Sequence, residues 1–99
     1  MPSQIVYVDP RTLHVPTTRL SGADPAKLQR QIQLFGSSMT GMQAPWAYRG
    51  TDGELMLVNG VTRATRIAKL SPGTKIPVEV IGDLSIPATV TPTIGDLLP

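Results

Sequence analysis

The chain has 99 residues, 40% hydrophobic and 16% charged, which is the size and composition of one globular domain and argues against wholesale disorder. It contains no cysteine, which excludes disulfides, thiolate catalysis and thiolate metal sites. Its formal charge is +2, too small a surplus for a basic nucleic-acid face unless the cations cluster locally.

The first residues, Met1 to Gln4, lack the basic and then apolar pattern of a secretory leader. No apolar run approaches the roughly 18–20 residues that cross a bilayer. A cytoplasmic location without a membrane partner is therefore expected. Gln4–Val8 is β-branched and aromatic and stops at Asp9-Pro10, which predicts a strand. Arg11–Leu20 shows no period and contains Pro16, so it reads as a loop with room for a short extended piece.

Asp24 as cap, Pro25 at the first helical position and Gly36 at the end predict a helix. Leu28, Ile32 and Phe35 form its apolar stripe, and Lys27, Gln29, Arg30, Gln31 and Gln33 its wet side. Gly36–Ala44 is a loop of small residues. Pro45–Arg49 and Glu54–Val58, joined by Gly50-Thr51-Asp52-Gly53, predict a hairpin. After Asn59-Gly60, a second helix from Val61 to Leu70 carries Val61, Ala64, Ile67 and Ala68 on one face. Lys75–Ile81 predicts a last strand, which Pro77 marks as an edge or a strand start. The fold class is α+β, a small mixed sheet packed against helices. Residues 1–82 form the domain and residues 83–99 a Pro-rich arm or tail, which docks on the domain or on another copy, or moves freely.

The sharpest site candidate is Asn59-Gly60-Val61-Thr62-Arg63 with Arg66. A glycine before a helix lets an anion approach the free N–H groups of the first turn. The Thr62 hydroxyl donates as well, and Arg63 and Arg66, three apart, reach one ligand with guanidinium forks. The plain alternative is a strand-to-helix turn beside two solvated arginines. Ser37 and Ser38, in Gly36-Ser37-Ser38-Met39-Thr40-Gly41, line a second candidate loop, and Arg19, after Thr17-Thr18, is a third candidate. Both also read as ordinary surface. His14, the single histidine, and the acids Asp9, Asp52, Glu54 and Glu79 form no pattern that demands a metal or a triad. Trp46 and Tyr48 share one strand face and suit base stacking, core packing or a self-association patch.

The order strand, helix, Gly, hairpin, Asn-Gly, helix, strand resembles the ParB/sulfiredoxin superfamily. The resemblance rests on Leu28 to Gly36, on Asp52-Gly53-Glu54-Leu55-Met56-Leu57-Val58-Asn59-Gly60-Val61-Thr62-Arg63-Ala64, and on Lys75-Ile76-Pro77-Val78-Glu79-Val80. It spans about residues 5–81. It implies a nucleotide or other phosphate-containing ligand, with Mg²⁺ as companion ion, held by Gly60, Thr62, Arg63 and Arg66 and flanked by Arg19, Ser37 and Ser38. The departures are chemical. Val61 and Thr62 stand where sulfiredoxins carry Cys and His, so sulfinic acid reduction has no nucleophile. In ParB domains the stretch is Gly-Glu-Arg-Arg, and here the acid and the first Arg are gone, which also removes support for the superfamily's serine kinase chemistry. The resemblance leaves two other functions open: a nuclease or toxin-type enzyme acting on nucleic acid, and a non-catalytic interaction module that self-associates through its C-terminal arm.

Overall fold

The structure, a computed structural model, describes residues 3–98. Four strands, β1 (Gln4–Val8), β2 (Trp46–Arg49), β3 (Leu55–Asn59) and β4 (Ile76–Asp83), form one sheet in the order β1-β4-β2-β3. The β1–β4 and β2–β3 pairs are antiparallel and β2–β4 is parallel, so the sheet is mixed. Three helices, α1 (Pro25–Phe35), α2 (Val61–Leu70) and α3 (Ile94–Leu97), complete the domain with α2 packed on the sheet, and the fold is α+β as expected.

Alternation along the strands decides which face the helices cover. Ala47, Leu55, Leu57, Ile76 and Val78 are buried and meet Val61, Ala64, Ile67 and Ala68 of α2 in one core. This is the helix face read from the sequence. The opposite sheet face carries Ile5, Tyr7, Trp46 and Tyr48, each exposed by a third or more. The Tyr48 ring lies against Gly82, where an added Cβ would sit 2.9 Å from it.

The structure refines four expectations. Arg11–Leu20 is more than a loop: Leu13 and Val15 are among the most buried residues of the chain. The His14 main chain pairs in parallel with Met56 and antiparallel with Thr93, which extends the sheet beyond β3. An apolar-polar-apolar triplet beside Pro16 is too short for periodicity to reveal.

Next, α1 starts and ends where its caps place it, with Asp24 accepting from the Ala26 N–H, yet no residue of it is fully buried. Phe35, the last residue of its apolar stripe, is 52% exposed, because α1 lies beside α2 rather than over the sheet.

Third, of the two readings of Pro77 the strand start holds, since it is the second residue of β4, and the edge does not, since β4 lies between β1 and β2. The Glu79 N–H donates to Pro45 O, and main-chain groups alternate sides along a strand. The Pro77 nitrogen therefore points to the β2 side, where pairing begins only at Glu79. No ladder bond is lost there.

Last, β4 runs through Asp83 and residues 84–98 dock on the domain. Ala88, Thr91 and Ile94 are buried. The Asp52 carboxylate accepts from the N–H groups of Glu54, Ala88 and Thr89. His14 Nδ1 lies 2.6 Å from Thr91 O, and Thr93 with Asp96 forms a capping box on α3. Among the described residues no helix is long and apolar enough to cross a membrane.

Candidate functional site

The site is built where β3 hands over to α2. Asn59 ends the strand and its Oδ1 accepts the Trp46 N–H at 2.9 Å, so this residue fixes the start of β2 rather than a ligand. Gly60 follows with φ 82°, a left-handed conformation that favours glycine. Space demands glycine too: an added Cβ would lie 2.7 Å from Pro45 Cβ and 2.9 Å from Arg63 Nη2. α2 then begins with no side-chain cap on its first-turn N–H groups, which leaves these donors to an outside acceptor.

A cavity of about 360 Å³ opens over this helix start, lined in part by Thr18, Arg19, Lys27, Gln31, Gly60, Thr62 and Arg63. A second cavity, of about 230 Å³, shares Gln31 and Arg63 with it and continues along Phe35, Ser38, Thr40, Met42 and Arg66. The two form one cleft between α1, the start of α2 and the 36–43 loop. Arg19, Lys27, Arg63 and Arg66 line it, and no carboxylate does.

The two arginines of α2 divide the work. Arg63 donates from Nε to Gln43 O at 3.1 Å, which ties down the loop before β2. Its Nη1 and Nη2 have no protein acceptor among the described residues. Burial pushes the Arg63 guanidinium below its ordinary pKa, yet an arginine stays charged at neutral pH.

Arg66 is different. It is 2% exposed, and its Nη1 donates to Gly36 O at 2.7 Å and to Ser38 O at 2.8 Å. Its Nη2 reaches Met42 Sδ at 3.6 Å, and the Phe35 ring centroid lies 5.5 Å from the guanidinium carbon. Burial lowers its pKa as well. Arg66 therefore holds the 36–42 loop in place: its Nη1 is taken by two main-chain carbonyls and its Nη2 faces Met42 Sδ, while its Nε is buried without a protein partner among the described residues.

Of the other expected residues, Gly60, Thr62, Arg63 and Arg19 meet around the first cavity. Ser38 lines the second, with its Oγ accepting the Thr40 N–H. Ser37 is exposed and lines neither. Lys27 and Gln31 were missed. They lie four apart on α1 and face the cleft together, but in the sequence they belong to an unremarkable polar side. The Gln31 Oε1 atom is buried without a partner, an acceptor left over inside the cleft.

The acid and base candidates are elsewhere. His14 is buried against Thr91, Asp9 caps the Pro10–Thr12 turn, Asp52 holds Ala88 and Thr89, and Glu79 accepts from Ser3 Oγ. No cluster of three metal-ligating side chains exists among the described residues. The cleft is lined by cations without an acid and offers Mg²⁺ no carboxylate. Comparisons of the chain with family models, with curated proteins and with solved structures found no match.

Proposed function

We propose that the chain is a binding domain for a phosphate-bearing ligand, a nucleotide or a smaller phosphate compound, held at the start of α2 without turnover. The observation that carries this reading is charge segregation. Four of the chain's nine Lys and Arg line one cleft, and none of its seven Asp and Glu does. Like charges brought together at the uncapped end of a helix raise the local potential and favour an anion. In this reading Arg63 grips two phosphate oxygens with its free Nη groups. The first-turn N–H groups and the Thr62 hydroxyl donate to a further oxygen, and Arg19 and Lys27 close the outer side. The resemblance to ParB domains points to the same residues, and the lack of an acid or histidine beside them speaks against nuclease chemistry.

Thermal shift tests the reading, with inorganic phosphate, pyrophosphate, sulfate, CTP, ATP, GTP and UTP, each with and without Mg²⁺ at matched ionic strength. A ligand at a hundredfold excess over its dissociation constant stabilises the native state by about 2.7 kcal/mol, which in a domain of this size raises Tm by roughly 10 °C or more. The rise disappears in Arg63→Ala. A flat response to all of these probes overturns the proposal.

A further inference from the structure

The sheet has two edges, and they are treated differently. Beyond β3, His14 and then Thr93 cover the edge with main-chain pairing. Beyond β1 nothing pairs: among the described residues, no hydrogen bond outside the β1–β4 ladder reaches Gln4–Val8. Proteins guard such an edge with charges, prolines or bulges. β1 reads Gln-Ile-Val-Tyr-Val, and its pairing with β4 is unbroken. It has none of the three.

The register shows which groups face outward. Glu79 turns its N–H towards β2, so the Ile5–Glu79 pair is a non-hydrogen-bonded one, and so is Tyr7–Pro77 two residues on. Pro77 confirms the parity, since it has no N–H to offer Tyr7. Val6 and its neighbours Gln4 and Val8 bond to β4. Ile5 and Tyr7 turn both N–H and C=O to the open edge.

We propose that two copies of this chain pair edge to edge through β1, antiparallel about a two-fold axis at Val6. This register sets Ile5 opposite the partner's Tyr7 and Tyr7 opposite the partner's Ile5. Both are hydrogen-bonded pairs, made from the four N–H and four-carbonyl groups the two edges leave free. The same pairing puts Ile5, 49% exposed, beside the partner's Tyr7, 66% exposed, on the uncovered sheet face, an aliphatic–aromatic cross-strand contact. Val6 meets Val6 on the covered face, and no charge meets a charge. A sheet of four strands becomes one of eight.

The area sets the strength. Two five-residue strands with these side chains bury less than the roughly 800 Å² per partner of a stable complex, which places the dimer in the weak class, with a dissociation constant on the order of 100 µM.

Sedimentation velocity of the full chain and of Ile5→Lys/Tyr7→Lys, read with amide exchange by NMR, tests this. The wild-type mass moves from the single-chain 10.6 kDa towards twice that value between about 10 µM and about 1 mM. Over that range exchange of the Ile5 and Tyr7 amides slows at least several-fold. The double variant, altered at exposed positions and melting like the wild type, stays a single chain. A wild type that stays monomeric throughout, a dimer that survives in the variant, or a dimer that leaves the Ile5 and Tyr7 amides unprotected overturns the proposal. The last would place the contact on the aromatic face instead.

Discussion

The cleft and the C-terminal clasp are two answers to the same electrostatic problem. In the clasp, Asp52 and Asp96 collect main-chain N–H groups and no cation. In the cleft, Arg66 collects main-chain carbonyls and no acid. Both use the backbone to satisfy a charge, and both thereby pin a segment that has little regular structure. The difference lies in what remains. The Asp52 carboxylate is shared among three N–H donors, and the segment it holds is closed down on the core. Beside Arg66, the Nη groups of Arg63 and the ends of Arg19 and Lys27 have no acidic partner among the described residues. A closed charge is structural; the open cluster of like charge is what the proposed phosphate site rests on.

Removing Arg66 should break the comparison most. Arg66→Ala leaves Gly36 O and Ser38 O without their donor and empties a buried volume, so stability falls by about 2–4 kcal/mol, measured by urea unfolding. Arg66→Lys recovers part of this, since one ammonium reaches a carbonyl but cannot reproduce the planar fork. Gly60→Ala is next. The left-handed φ costs roughly 1 kcal/mol for a residue with a Cβ, and the contact with Pro45 adds strain, for a total of about 2 kcal/mol. It disturbs the Arg63 guanidinium at the same time, so phosphate binding weakens with it. A Gly60→Ala protein of unchanged stability would show that the turn relaxes without difficulty.

Arg63→Ala sharpens the comparison instead. The side chain is partly exposed and makes one hydrogen bond to protein, so unfolding free energy changes by about 1 kcal/mol or less. Ligand affinity changes more, by about tenfold or above, because a charge-assisted fork is lost. The ratio of the two effects is the readout: Arg66→Ala acts on stability first, Arg63→Ala on binding first. Equal effects of both variants on both quantities would erase the division between them.

Much of this was legible in the residues, and the failures have physical causes. β1, α1, the hairpin, α2 and β4 follow from alternation, caps and turn residues, which are local signals. Gly60, Thr62 and Arg63 stand together in the sequence as one candidate and Arg19 as another, and the fold brings them to one cavity. What the sequence hid is non-local. Leu13 and Val15 owe their burial to a third neighbour, the 91–94 segment, about 80 positions away. Arg66 looks like Arg63 in sequence, and only the path of the 36–42 loop over it makes one a brace and leaves the other free. Lys27 and Gln31 lie on the polar side of a helix whose neighbour had to be known first.

Acid separates the two regions by a different route. Slight burial works to raise the Asp52 pKa, but the N–H groups of Ala88, Glu54 and Thr89, with the Thr89 side chain, outweigh it and hold the carboxyl at about 2. Asp96 is lowered too, chiefly by its bonds to Thr93. A carboxyl whose folded pKa lies below its unfolded value stabilises the fold in full above the unfolded value, near 3.8, and loses that contribution as pH falls through the folded one. The clasp should therefore hold unchanged from neutral pH to about pH 4 and weaken between about pH 4 and pH 2. Over that window Tm falls in the wild type, and amides of the 84–93 segment exchange faster than those of α2. Asp52→Asn keeps a side-chain acceptor but removes the charge. Its Tm starts lower at neutral pH and falls less steeply below pH 4, and its 84–93 amides lose their acid sensitivity first. The cleft, whose charges are all arginine and lysine, stays cationic throughout, so binding of sulfate, an anion that keeps its charge there, should persist at pH 4 in both proteins. Loss of sulfate binding above pH 4, before the clasp opens, would show that a carboxylate serves the cleft after all.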